Sequence, residues 1–218
     1  MSCEDETNRP PEPEVTRPEE TTPPIVEGEP MDALGVLESL AVRPEVDEGY
    51  DRALFKHWVD ADGDGCDTRE EVLEAESVTP VTTVGVCDIE RGTWFSVFDG
   101  DTITNPASVD INHIVPLEEA WQSGARHWTP ERREAFANDL VDERSLRATS
   151  SGANRDQGEA DPAAWLPSDQ EVACQFVVDW VAIKASWGLA VDEVEREAIA
   201  ATLEGCLDRT TTVVARDT

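Results

Sequence analysis

Lysine is almost absent from this chain. Only Lys56 and Lys184 occur in 218 residues, so nearly all of the 17 basic side chains are arginine, against 48 aspartates and glutamates. The formal charge is −31. A surface of that sign repels itself and other polyanions at long range, which argues against a protein that gathers nucleic acid through net charge. It does not exclude a local basic face. Arg126, Arg132, Arg133, Arg144, Arg147 and Arg155 fall in one part of the chain, where pairing with neighbouring glutamates is the competing explanation. Concentrated salt would screen the self-repulsion, so the composition predicts a salt-adapted, halophilic protein. Its melting temperature should then rise with salt, and a flat or falling response would remove that reading. No run of 18 apolar residues occurs, so no membrane-spanning helix is expected. Met1-Ser2 lacks the basic and apolar regions of a secretory leader. No basic sequence-reading module such as a helix-turn-helix is visible, so sequence-specific DNA binding is not argued.

Residues 1–30 hold seven of the fourteen prolines, nine acidic residues and two arginines. That composition cannot bury enough apolar surface to order itself, and it reads as a disordered acidic tether. A domain over 31–210 and a tail over 211–218 complete the division. Of five cysteines, Cys3 is the odd one. It resembles the lipid-bearing residue that begins a mature bacterial lipoprotein, with Met-Ser in place of a removed leader; an incidental free thiol is the alternative.

The run Asp60-Ala61-Asp62-Gly63-Asp64-Gly65-Cys66-Asp67-Thr68-Arg69-Glu70-Glu71 carries the twelve-residue EF-hand spacing. Asp60, Asp62 and Asp64 would offer side-chain oxygens, Cys66 its carbonyl and Glu71 a bidentate carboxylate to calcium. The usual apolar residue at the eighth position is Asp67, so this is not a standard paired hand, and an acidic turn capping a helix over 68–75 is the plainer alternative. With only its carbonyl used, Cys66 keeps its thiol for a disulfide with Cys87. Cys174 and Cys206 each stand sixteen residues from Ala190, which places their sulfurs side by side in an antiparallel helical hairpin. Each closed loop should stabilise the fold by roughly 3–4 kcal/mol. Two disulfides and a calcium loop together imply an oxidising, extracytoplasmic compartment, extracellular or on the cell surface. Reduced buried thiols are the alternative, and would titrate in denaturant without reductant.

Apolar spacing predicts helices over 31–42 and 50–58, with Leu54, Phe55 and Trp58 of the second turned inward. Residues 91–99 read as a strand, closed by the Asp99-Gly100-Asp101 turn. Residues 117–122 read as helical. Thr129-Pro130-Glu131 is a helix start, with a threonine cap and proline at the first position, and that helix runs to about 139. Residues 144–149 form a short strand or turn, and Asn154 opens the next helical piece. Ser168 with Glu171 is a capping box for a helix whose inner face carries Phe176, Trp180, Ile183 and Trp187. A second helix spans 192 to about 204.

The most informative stretch is Val109-Asp110-Ile111-Asn112-His113-Ile114-Val115-Pro116-Leu117. Apolar and polar residues alternate to His113, the period of a half-buried strand, and Pro116 stops the ladder. Two polar side chains and an imidazole therefore stand where a rigid element meets a loop. With the later run Ser150-Ser151-Gly152-Ala153-Asn154-Arg155-Asp156-Gln157-Gly158 and Asp161-Pro162-Ala163-Ala164-Trp165, this stretch resembles the HNH (ββα-metal) endonucleases. The branch is the one reading Asp-x-Asp-His, two apolar residues, then Pro, and the likeness is nearest to secreted bacterial members. It covers roughly residues 50–206.

The resemblance implies an α+β fold: a ββα-metal core surrounded by helices, with the disulfide-linked helical hairpin at its C-terminal end. It implies a phosphodiester hydrolase acting on DNA and leaving 5′-phosphate ends. His113 would be the general base. Asn112 and Asn154 would hold one divalent metal, with Asp110 in support, and Arg155 or Arg147 would hold a phosphate. Oxygen donors with water suit magnesium or manganese, while zinc or nickel would also be accepted. His57 and His127 match no motif and read as packing or surface residues. Two departures stand out. The family has aspartate where this chain has Asn112, which should weaken metal affinity, and often lysine where it has Gln157. A rival reading follows: a calcium-stabilised extracellular binding protein on an HNH scaffold with weak or lost catalysis. DNA is the expected partner. Membrane attachment would come only through lipid on Cys3, and no protein partner is expected.

Overall fold

The computed structural model describes residues 28–214 and Arg216. Cys3 and most of the acidic tether lie outside the described residues. The elements run β1 Met31–Asp32, α1 Ala33–Ser39, α2 Thr68–Ala75, β2 Thr82–Val84, β3 Asp88–Arg91, β4 Trp94–Phe95, β5 Thr102–Ile103, β6 Val109–His113, α3 Leu117–Gln122, α4 Pro130–Ala137, β7 Leu146–Ser150, α5 Ser151–Gln157, α6 Gln170–Trp187, α7 Glu193–Glu204 and β8 Thr210–Thr211. The strands pair antiparallel as β1–β8, β2–β3, β4–β5 and β6–β7. The protein is thus mixed α+β with small sheets, and among the described residues no helix is long and apolar enough to cross a membrane.

The β6–β7 pair is the centre. Its register sets Asp110 opposite Thr149, Asn112 opposite Arg147 and His113 opposite Leu146. Side chains alternate across a strand, so the two faces separate cleanly. Val109, Ile111, Leu146 and Ala148 face one apolar cluster with Val72, Leu73, Ile89 and Trp94. The other face turns its polar residues toward α5. Helix α5 follows β7 with no intervening loop: Ser150 ends the strand, and its hydroxyl accepts from the Ala153 amide at 3.0 Å. Between β6 and β7 the chain makes an excursion through α3 and α4. The larger apolar cluster lies in the helical half, where Phe176, Trp180, Ile183, Trp187, Leu189, Ile199 and Leu203 pack with Leu37, Phe55, Leu117 and Phe136. Each fully buried aliphatic or aromatic side chain there is worth about 1.5–3 kcal/mol.

Both expected disulfides are formed. Cys66 and Cys87 have Cα atoms 5.2 Å apart, and Cys174 and Cys206 5.7 Å, within the range a disulfide spans. The second ties α6 to α7. Gly188 ends α6 in the left-handed conformation, and the Leu189 amide donates back to the Lys184 carbonyl at 2.9 Å.

Several local expectations need correction. The helix expected over 31–42 is α1 alone. Asp32 caps it by accepting from the Leu34 amide, Met31–Asp32 is drawn into pairing with β8, and beyond Leu40 the chain extends to bridge Val42 with Val191. The helix expected over 50–58 is one 3-10 turn, Arg52–Leu54. Phe55 leaves it to pack among Tyr50, Trp121 and Phe136, and Leu54 is exposed. The strand expected over 91–99 breaks at Gly92. A side chain there would meet the Trp94 ring, which is buried with its indole N–H donating to the Leu73 carbonyl at 2.7 Å. Helix α5 begins at Ser151, not Asn154. Helix α6 is capped by Asp169, one residue after Ser168, because that carboxylate accepts from both the Glu171 and Val172 amides.

Candidate active site

Helix α5 lies over the polar face of the hairpin and brings two of its residues to Asn112. The Asn112 Nδ2 donates to Asn154 Oδ1 at 2.8 Å and to Gln157 Oε1 at 2.9 Å. Asn154 Nδ2 in turn donates to Asp110 Oδ2 at 3.1 Å, and Gln157 Nε2 donates to the Ile114 carbonyl at 3.2 Å. Asp110 and Asn112 share this face because they are two apart on one strand. Asn154 and Gln157 share a helix face because they are three apart. The network is buried at Asn112, which is 2% exposed, and opens toward Asn154 and Asp110, which are half-buried.

Two oxygens in this layer have no hydrogen-bond partner: Asn112 Oδ1 and Thr149 Oγ1. Thr149 is fully buried and stands opposite Asp110. A buried polar atom left unpaired costs about 1–3 kcal/mol, so native structures rarely leave one without a reason.

His113 closes β6 on the opposite side. Its Nε2 lies 3.0 Å from the Ala137 carbonyl at the end of α4. A carbonyl only accepts, so Nε2 carries the proton and Nδ1 keeps a lone pair. The side chain is 7% exposed, and burial pushes its pKa down to about 4, so the ring is neutral at neutral pH. Trp58 packs against the ring, centroids 5.8 Å apart, and is the one non-glycine residue with positive φ among those described, at 58°. A bulky side chain in that conformation costs of order 1–3 kcal/mol and persists only where its surroundings enforce it. Here Val59 is clamped from both sides: its amide donates to Asn138 Oδ1, and its carbonyl accepts from Thr68.

The two arginines considered as phosphate holders differ. Arg147 shares the Asn112 face, but its Nε is held 3.2 Å from Glu76 Oε1. Arg155 follows Asn154 on α5 and is exposed. His57 is half-buried, its Nδ1 donating to the Phe55 carbonyl at 2.8 Å, and lies edge-on to Trp58; His127 is exposed.

The acidic loop forms a separate cluster of carboxylates. Carboxylate oxygens of Asp60, Asp62 and Asp64 lie within 4.8 Å of one another. The loop is held by amides of Gly63 and Gly65 donating to Asp60, of Asp64 donating to Asp62, and of Cys66 donating to Asp64. Gly63 and Gly65 supply the positive φ its turns require, 80° and 98°. Partial burial and then the charges of Asp62, Asp64 and Asp60 push the Glu71 carboxyl upward, while the close cluster of carboxylates is formed by the three aspartates. An open surface hollow of about 580 Å3, lined by Asp142, Arg144, Asp179 and Thr211 among others, lies away from both regions.

Sequence reasoning missed Trp58 as a neighbour of His113 and missed the Ala137 carbonyl altogether. The first lay in a segment read as helix. The second is a backbone atom, which no residue type announces.

Residues 82–202, more than half of the chain, match the family model described as the C-terminal domain of GmrSD restriction endonucleases. An uncharacterized secreted protein of Arthroderma benhamiae is 39% identical over 175 residues, covering 80% of this chain and 84% of the relative. No solved structure matches the chain.

Proposed function

We propose that this chain, which belongs to the family of GmrSD restriction endonuclease C-terminal domains, is a metal-dependent endonuclease of the HNH kind that hydrolyses DNA outside the cytoplasm. The observation that carries the reading is Asn112 Oδ1, a buried acceptor with no partner, beside Asp110 and Asn154 and one residue from His113. An oxygen in that position suits a hard divalent cation completed by water, magnesium or manganese before zinc or nickel. Asn112 and Asp110 would hold it, with Asn154 joining once its oxygen is released from the Asn112 amide. Bound there, the ion would supply charge neutralisation to a phosphodiester.

The remaining chemistry belongs to the protein. His113 is pinned at Nε2 and neutral, so Nδ1 is the atom that would take a proton from the attacking water. Trp58 fixes the plane of that ring. Arg155, exposed on the helix that carries Asn154, would meet a phosphate oxygen; Arg147 would do so only by loosening its hold on Glu76. The family's own name supports DNA as the substrate. The secreted relative and the two disulfides support an extracytoplasmic setting, and Cys3 would be the lipid-bearing residue of a tethered form. Calcium at Asp60, Asp62, Asp64, the Cys66 carbonyl and Glu71 would be structural, bracing the loop that Cys66 ties to Cys87.

One observation favours the rival, a binding protein without catalysis. The amide nitrogen of Asn112 occupies the oxygen of Asn154, where an aspartate would have no proton to give. A plasmid-nicking assay separates the two. With magnesium, manganese, zinc or nickel across a range of salt, wild type should nick and His113→Ala should not. No cleavage by wild type under any of these conditions would select the rival.

A further inference from the structure

We propose that Gln157 is a positioning residue: it sets which end of the Asn112 carboxamide faces the cation. The inference rests on the metal-dependent reading and concerns how this chain holds a metal with an amide. A carboxamide is asymmetric, and only its oxygen can serve as a metal ligand. Its orientation follows from a hydrogen-bond chain fixed at both ends by groups that cannot donate. At one end the Asp110 carboxylate accepts from Asn154 Nδ2, which turns Asn154 Oδ1 toward Asn112. At the other the Ile114 carbonyl accepts from Gln157 Nε2, which turns Gln157 Oε1 toward Asn112. Two acceptors thus converge on Asn112, both its N–H donors are used, and Oδ1 is left outside the network. Of the two, Gln157 is the firmer. It is 2% exposed and anchored to backbone, whereas Asn154 is half-buried and anchored to a half-buried side chain. Without the Gln157 acceptor, only the half-buried Asn154 contact would be left to hold the Asn112 carboxamide in this orientation.

A carboxylate at position 112 needs no such guidance, because either rotation presents an oxygen. That symmetry gives the test. Manganese is titrated into the full-length chain by calorimetry, and the heat that disappears in Asn112→Ala is taken as the site's own. Four proteins are compared: wild type, Gln157→Met, Asn112→Asp and the double variant, with melting temperatures as the fold control. Methionine keeps the length and burial of glutamine but neither polar end. Gln157→Met should weaken manganese binding about tenfold in the wild-type background, the size of one well-made polar contact. In the Asn112→Asp background it should weaken binding less than about threefold, since the coupling is then gone. A residue that merely packs would give equal losses in both backgrounds. That outcome overturns the inference and leaves the nuclease reading intact. Wild type showing no heat beyond Asn112→Ala, while folded, overturns both. Should Gln157→Met fail to fold, Gln157→Lys carries the same cycle. Its ammonium donates where glutamine accepted, so it should abolish the heat in the wild-type background and spare it in the Asn112→Asp background, and equal effects would again overturn the inference.

Discussion

In the helical half, Lys184 is fully buried yet reaches Glu119 and Glu195 at 2.6 Å each and the Ala190 carbonyl at 3.0 Å. Trp180 donates its indole N–H to the same Glu195. Under the hairpin, Asn112, Asn154 and Gln157 carry no charge, only Asp110 does, and one oxygen of Asn112 has no partner. The cluster with more charge has its ammonium and carboxylates mutually paired; the nearly neutral one leaves an acceptor bare. Buried ion pairs contribute little net stability once desolvation is counted, but removing one member is severe. The Lys184 cluster therefore reads as architecture, locking α3, α6 and α7 together. A binding site has to keep some bonding capacity unspent, and the hairpin layer does.

The sharpest way to break this contrast is Lys184→Met. It strands Glu119 and Glu195 without a cation and should destabilise the protein by about 3–5 kcal/mol in urea unfolding; a change below about 1 kcal/mol would mean the cluster is not structural in this sense. His113→Ala should do the reverse, lowering cleavage by about 10²–10⁴-fold while the melting temperature moves far less than in Lys184→Met. Equal losses of stability in the two variants would erase the distinction.

Acid should separate the two regions by sign. Burial, outweighing nearby Lys184, raises the Glu195 pKa to about 7, from 4.5 in the unfolded chain. Folded protein thus binds this proton more tightly. The stability it contributes is complete below about 4.5 and is lost as pH rises to about 7. His113, lowered by burial from 6.5 to about 4, works in the opposite sense: its share is present above 6.5 and is lost as pH falls through 4. Relative to wild type, Glu195→Gln should therefore lose stability on acidification between pH 7 and 4.5, and His113→Ala should gain it. Melting curves across that range would show whether the slopes diverge. The smallest effect concerns the acidic loop. Saturating calcium should raise the melting temperature by a few degrees through preferential binding to the folded state, and Asp62→Ala should abolish that rise. Calcium affinity unchanged in Asp62→Ala would remove the loop from consideration.

What was legible in the sequence was local. The alternation of β6 announced its two faces, and the equal spacing of Cys174 and Cys206 about Ala190 announced their bond. The threonine at 129 announced the start of α4, its hydroxyl accepting from the Arg132 amide. Pairing of Met31–Asp32 with Thr210–Thr211 joins segments with no common signal, and it drew residues out of an expected helix. Lys184 stands four residues after Trp180 on a face read only as apolar, and its partners come from two other helices. At the candidate site, the motifs placed Asn112 and Asn154 in one region, but amide direction depends on what lies behind each amide. Asp110 and a backbone carbonyl decide that, through contacts 44 and 43 residues apart along the chain.

The β1–β8 ladder brings the two extremities of the described chain side by side, with the Gly28 amide donating to the Val213 carbonyl at 3.0 Å. A short peptide joining those extremities would leave the architecture unchanged, so the order in which the segments are synthesised can be rotated. New ends could be opened in the exposed stretch at 158–159, directly after the helix that bears Asn154. In such a rearranged molecule the half with the hairpin and that helix and the half with Cys174 would be joined through the new peptide and no longer through 158–159, while the shared apolar cluster would still hold them together.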